Sequence, residues 1–223
     1  GYSDVVIGAP FSSSGQYWEG RAFVFHGSAA GLASTPNWTA ESNNEGAHFG
    51  ASVASAGDVN GDGYSDIVVG AYGYTNGHGE EGRAFVYHGA TTGLATTAAW
   101  SAEGDQTVAW FGYSVATAGD VNGDGYSDII VGSIFYDNGE TNEGQAFVYH
   151  GSSSGLASSA NWTGDSDQAG SAFGSSVWTA GDVNGDGYAD VVVGAPSYTN
   201  GEDSEGRAFV YHGSSSGVGS APA

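Results

Sequence analysis

The string Asp-Val-Asn-Gly-Asp-Gly-Tyr-x-Asp occurs three times, beginning at Asp58, Asp120 and Asp182, and each copy starts 62 residues after the one before. A fixed period of this length means stacked structural repeats rather than one irregular domain. Carboxylates clustered on a Gly-rich turn point, in addition, to a site for a hard cation. The register extends well outside the loops, since Phe49-Gly50, Phe111-Gly112 and Phe173-Gly174 keep the same spacing, as do Gly20, Gly82, Gly144 and Gly206. Gly1-Tyr2-Ser3-Asp4 aligns with Gly63-Tyr64-Ser65-Asp66, so the chain opens inside a loop of the same kind. The chain reads as one array over residues 1–223, with units at 1–48, 49–110, 111–172 and 173–223, the first and last incomplete.

Within the unit 49–110, Phe49 to Ala56 reads as a strand of small residues around Val53. After the loop, Asp66-Ile67-Val68-Val69-Gly70 is a short β-branched run ended by Gly, the form of a strand buried on both faces. Gly82 to Gly89 is rich in aromatic and β-branched residues and recurs in all four units, which makes a third strand. Ala99-Trp100-Ser101-Ala102-Glu103 makes a fourth and outer one. A four-stranded antiparallel meander of this size cannot cover both of its own faces, so neighbouring sheets must pack on one another around an axis. The expected fold is all-β, a β-propeller of which this chain holds about three and a half blades. A linear β-solenoid is the alternative, but its coils repeat over roughly 20–30 residues.

Composition narrows the function classes. The chain carries 25 Asp and Glu against 3 Lys and Arg, a net charge of −22 that repels nucleic acid and anionic lipid. No apolar run reaches the ~18 residues of a membrane span. There is no Cys, so no disulfide braces the fold. Loops of this kind fill at the millimolar calcium found outside cells, which points to an extracellular or cell-surface protein.

Three elements in fixed order carry a family resemblance along the whole chain: Phe-Gly, then Gly-Asp-Val-Asn-Gly-Asp-Gly-Tyr-x-Asp, then Val-Val-Gly-Ala-Pro. They resemble the FG-GAP repeat of the integrin α-subunit propeller and its bacterial relatives. Phe49-Gly50 and Gly194-Ala195-Pro196 stand at the family's offsets from the loop, and Gly8-Ala9-Pro10 repeats the second element; Ala71-Tyr72 and Ser133-Ile134 depart from Ala-Pro. The resemblance implies calcium in the loops, rings of seven blades, and a partner-binding face at the end of the propeller opposite the calcium.

Three calcium sites are expected. Positions one, three, five and nine of each loop supply side-chain oxygens and position seven a carbonyl: Asp58, Asn60, Asp62, Tyr64 and Asp66; Asp120, Asn122, Asp124, Tyr126 and Asp128; Asp182, Asn184, Asp186, Tyr188 and Asp190. Asp4 is the ninth position of a broken fourth loop, expected to hold an ion poorly if at all. EF-hands and dockerins share the opening of this string but need an acid at position twelve, where this chain has Val69, Val131 and Val193. The bland alternative is that the string forms only hydrogen-bonded turns. The ion's expected role is structural, because it pins the hairpin between strands one and two.

His26, His88, His150 and His212 recur with the repeat and read as strand-end packing rather than a metal or catalytic set. Arg21, Arg83 and Arg207, with Gln145 at the fourth copy of the position, read as braces for carboxylates or carbonyls between blades. Function is sought where the repeat breaks. The connections between strands two and three, and from strand four to the next strand one, supply Tyr17, Trp18, Tyr74, His78, Trp110, Tyr136 and Tyr198 as a candidate face for a protein or glycan partner. The leading reading is a non-enzymatic, calcium-binding module for adhesion, recognition or assembly. Its rivals are a structural part-ring completed by oligomerisation, and the propeller of a secreted hydrolase or lyase, for which no catalytic constellation stands out. The incomplete end units favour a homodimer that completes a ring.

Overall fold

The structure is a computed structural model and describes residues 2–223. Every regular element among the described residues is a strand. The first sheet is formed by β1 (Val5–Ala9), β2 (Arg21–Phe25) and β5 (Trp38–Glu41), with a small hairpin of β3 (Gly27–Ser28) and β4 (Gly31–Leu32) beside it. The second has β6 (Ser52–Gly57), β7 (Asp66–Ala71), β8 (Arg83–Tyr87) and β9 (Trp100–Glu103). The third has β10 (Phe111–Gly119), β11 (Asp128–Ser133), β12 (Gln145–Tyr149) and β13 (Trp162–Asp165). The fourth has β14 (Ser176–Gly181), β15 (Asp190–Ala195) and β16 (Arg207–Tyr211). All pairings within these four sheets are antiparallel between spatial neighbours, so each is a meander.

Alternation along the strands builds the stack. Val68, Ala84 and Val86 point to one side of the second sheet and join Phe111, Ile129 and Val131 of the third in one buried cluster. Ile67, Val69, Ala71 and Tyr87 point to the other side and join Ala22, Val24 and Trp38 of the first. The same division recurs between the third and fourth sheets. Because both faces are covered, β7 and β11 are buried at every residue, as their β-branched runs require. Antiparallel sheets of three and four strands packed face to face in this repeated manner form a partial β-propeller.

The two short motifs that recur with the loops are halves of one contact between blades. Gly70 of β7 lies so close to the backbone of Gly112 in the next unit that a Cβ there would overlap the Gly112 carbonyl oxygen. Gly8 meets Gly50, and Gly132 meets Gly174, in the same way. The phenylalanines before those second glycines, Phe49, Phe111 and Phe173, are fully buried. Phe49 sits edge-on to Phe85, and Phe111 and Phe173 repeat the contact on Phe147 and Phe209.

Candidate functional site

Each acidic loop joins the first two strands of its sheet and leaves from the same end of the stack. In the second sheet, Asp58 Oδ1 accepts hydrogen bonds from the amides of Gly61 (2.7 Å) and Asp62 (3.0 Å), and its Oδ2 accepts from Gly63 (2.8 Å). Asn60 Oδ1 accepts from the Asp62 amide and its Nδ2 donates to Asp62 Oδ2, both at 3.0 Å. Asp66 is fully buried, with Val59 N on Oδ2 (2.9 Å) and Gly89 N on Oδ1 (2.8 Å). The other two loops repeat the arrangement, among them the Gly125 amide on Asp120 and the Gly187 amide on Asp182. At the chain's start, Asp4 keeps only the bond equivalent to that of Gly89, accepting from the Gly27 amide at 2.8 Å.

Loops of neighbouring blades are tied together. The Asp58 carbonyl accepts from Ser127 N at 3.0 Å and the Asp58 amide donates to Ser127 Oγ at 3.1 Å. Tyr126 of one loop lies on Gly61 of the loop before, where a side chain would collide with its ring, and Tyr188 lies on Gly123 likewise. A loop that holds its shape therefore also seats its neighbour.

The donors are all oxygens, which suits a hard cation. Burial pushes the Asp128 carboxyl up to about 7; the amides of Gly151 and Val121 oppose this in part, while Asp124 and Asp120 add repulsion. Burial raises Asp66 for the same reason. At Asp190, burial is outweighed by the Gly213 and Val183 amides and by His212, whose Nδ1 is 3.3 Å away, and the carboxyl lies below its ordinary range. A divalent ion would supply the counter-charge that Asp66 and Asp128 lack. The carboxylates of a loop do not themselves crowd together: groups of three acids with oxygens within 4.8 Å occur, among the described residues, at Glu81, Glu103 and Asp105 and at Glu143, Asp165 and Asp167, outside the loops.

At the opposite end of the stack, aromatic side chains run in unbroken contact across three blades. Tyr17 stacks on Trp18 (ring centroids 4.4 Å apart), and Trp18 and Phe11 both meet His48 (5.7 and 5.2 Å). His48 stacks on Tyr72 (4.8 Å), Tyr72 meets Trp110 (5.0 Å), and Trp110 meets Tyr113 and Phe135 (6.1 and 4.8 Å). Phe11, Tyr17, Trp18 and Tyr113 are exposed and the others half-buried. The connection entering each blade lies along the loop of the blade before: His48 N donates to the Trp18 carbonyl at 3.1 Å, and Trp110 N to that of Glu80 at 3.3 Å.

The family model of the FG-GAP repeat matches residues 49–87, 111–149 and 173–211, more than half of the chain. The chain belongs to the FG-GAP repeat family. It is 34% identical to integrin alpha-4 of Xenopus laevis over 86% of this chain and 18% of that protein, and 34% identical to integrin alpha-V of Gallus gallus over 78% and 16%. Against integrin alpha-IIb of Homo sapiens the identity is 38% over 66% of this chain and 15% of that protein. The FG-GAP chain thus spans less than a fifth of the length of these relatives.

Of the seven residues marked for a partner face, Tyr17, Trp18 and Trp110 belong to the aromatic run of this FG-GAP chain. Tyr74, Tyr136 and Tyr198 do not: they pack on Phe85, Phe147 and Phe209 of their own sheets, and Tyr74 and Tyr198 also carry Arg83 and Arg207 over their rings. His78 is exposed and outside the run. Phe11, His48, Tyr72, Tyr113 and Phe135 complete the run, and they stand at positions that vary between units: Phe11 and Phe135 share one where the other units have Gly73 and Ser197, and Tyr72 stands where the other units have Pro10, Ile134 and Pro196. Arg21 and Arg83 brace carboxylates within one blade rather than between blades, Arg21 with Glu41 at 2.7 Å and Arg83 with Glu103 at 3.0 Å, because each pair stands opposite in register on adjacent strands. The periodic histidines end their strands; the His88 and His150 rings lie by Gly155 and Gly217 of the following unit.

Proposed function

We propose that the chain is a calcium-binding, extracellular recognition segment of a non-enzymatic FG-GAP propeller. The observation that carries the recognition reading is the aromatic run from Tyr17 to Phe135, since stacked, part-exposed rings on connections held by a rigid scaffold suit a protein or glycan surface. Its acidic surroundings, with the Trp110 indole N–H donating to Glu80 Oε2 at 3.0 Å, favour neutral or basic ligands. Similarity to integrin alpha chains supports a cell-surface setting. Calcium in the loops of Asp58, Asp120 and Asp182 is structural in this reading: each ion neutralises a buried carboxylate and fixes a loop that seats the next.

The test is to screen the immobilised chain, in millimolar calcium, against arrays of neutral and basic oligosaccharides and extracellular-matrix proteins. A ligand whose affinity falls at least tenfold in both Tyr72→Ala and Trp110→Ala supports the reading. Ligands bound equally by all three proteins contradict it.

A further inference from the structure

The third unit carries a second, unrelated set of carboxylates at the end of the sheet away from the Asp120 loop. Glu143 lies just before β12, Asp165 ends β13 and Asp167 follows two residues later, and a carboxylate oxygen from each lies within 4.8 Å of the others. Glu143 is fully buried. Its Oε1 accepts from the amides of Asn138 (2.7 Å) and Glu140 (3.1 Å), while its Oε2 is buried with no hydrogen-bond partner. A buried, ionised oxygen left without a donor is costly, and it needs either a proton or a cation. Asp165 Oδ2 accepts from Asn138 Nδ2 (2.9 Å) and Oδ1 from the Asp167 amide (3.2 Å), which leaves the carboxylates of Asp165 and Asp167 with lone pairs to spare.

The second unit has the same arrangement, including a buried Glu81 Oε2 with no hydrogen-bond partner, but adds a cation to it. Glu81, Glu103 and Asp105 form the equivalent group, and there Arg83 stands 3.0 Å from Glu103 while Asn76 Nδ2 reaches both Glu103 oxygens at 3.1 Å. In the third unit the position of Arg83 is taken by Gln145, neutral and buried, directly opposite Asp165 in the strand register. Three acids thus meet with no arginine among them.

We propose that Glu143, Asp165 and Asp167 bind a calcium ion that takes the place filled by the Arg83 guanidinium in the preceding unit. The donor set is oxygen alone, with no nitrogen or sulfur to favour a transition metal, and it sits on two connections whose carbonyls and waters can fill a large, irregular shell. An ion here would clamp the connection between β11 and β12 to the one between β13 and β14. The inference does not depend on the Asp58, Asp120 and Asp182 loops holding ions, because it is read as a difference between proteins that share those loops.

The experiment is calcium stoichiometry by equilibrium dialysis for the whole chain and for two variants. Gln145→Arg restores the residue type of the sister units, and Asp167→Asn keeps a residue suited to the φ of 51° at that position. Both variants are expected to keep the wild-type circular dichroism and to bind one calcium fewer than the wild type at saturation. Equal stoichiometry in the wild type and in either folded variant would overturn the proposal.

Discussion

Trp100 of β9 donates its indole N–H to the carbonyl oxygen of Ala157, 57 residues further on in the next blade, at 2.8 Å. Trp38 reaches Ala95, and Trp162 reaches Gly219, across the same 57 residues at 2.8 and 2.9 Å. The outer strand of each blade is thus fastened to the hairpin between the third and fourth strands of its neighbour, so that unfolding of adjacent units is coupled. Trp100→Phe keeps the ring against Tyr149 but loses the bond, and a cost of about 1 kcal/mol is expected; Trp100→Ala is expected to cost about 3–5 kcal/mol. Urea unfolding of the two variants measures both.

Gly70→Ala is expected to be worse than Trp100→Phe although it only adds one methyl group. Its Cβ would overlap the Gly112 carbonyl, a backbone atom that no rotamer change can move, so the second and third blades would have to part. The expected loss exceeds about 3 kcal/mol, seen as a large fall in the urea midpoint. An unchanged midpoint would show that the blades do not pack through these glycines.

In metal-free buffer the chain is expected to lose stability as pH rises from about 4 to about 7. Asp128 is pushed from 3.8 up to about 7 by burial, so over that window the folded state keeps a proton that the unfolded state has given up. The effect is complete above pH 7 and absent below pH 4. Melting temperatures across this range, with and without calcium, check the sign, since calcium is expected to flatten the slope near neutrality.

Much of this was written plainly in the chain. The β-branched run 66–70 became β7, and Gly82–Gly89 and Ala99–Glu103 enclose β8 and β9, because a 62-residue period lets each unit confirm the others. The start of the first strand differs between units: β10 begins at Phe111, the equivalent of Phe49, whereas β6 and β14 begin at Ser52 and Ser176. The aromatic face was only half legible. Tyr74, Tyr136 and Tyr198 recur every 62 residues, and their periodicity marks them as scaffold, as it did the histidines. Phe11 and Tyr72 follow β1 and β7 and Tyr113 lies in β10, and only the stacking of blades brings them into one run, so no local pattern announces it. The group at Glu143 is invisible for a related reason, as Glu143 lies 22 residues before Asp165 and meets Asp165 and Asp167 through the pairing of β12 with β13.

The claim on which the account turns is that calcium in the three acidic loops holds the blades in place. The most direct measurement is thermal unfolding of the wild type and of the combined Asp58→Asn, Asp120→Asn and Asp182→Asn variant, each in millimolar calcium and in excess chelator at neutral pH. The account predicts a rise of more than about 10 °C with calcium for the wild type and a much smaller one for the variant. Identical melting of the wild type in both buffers would contradict it.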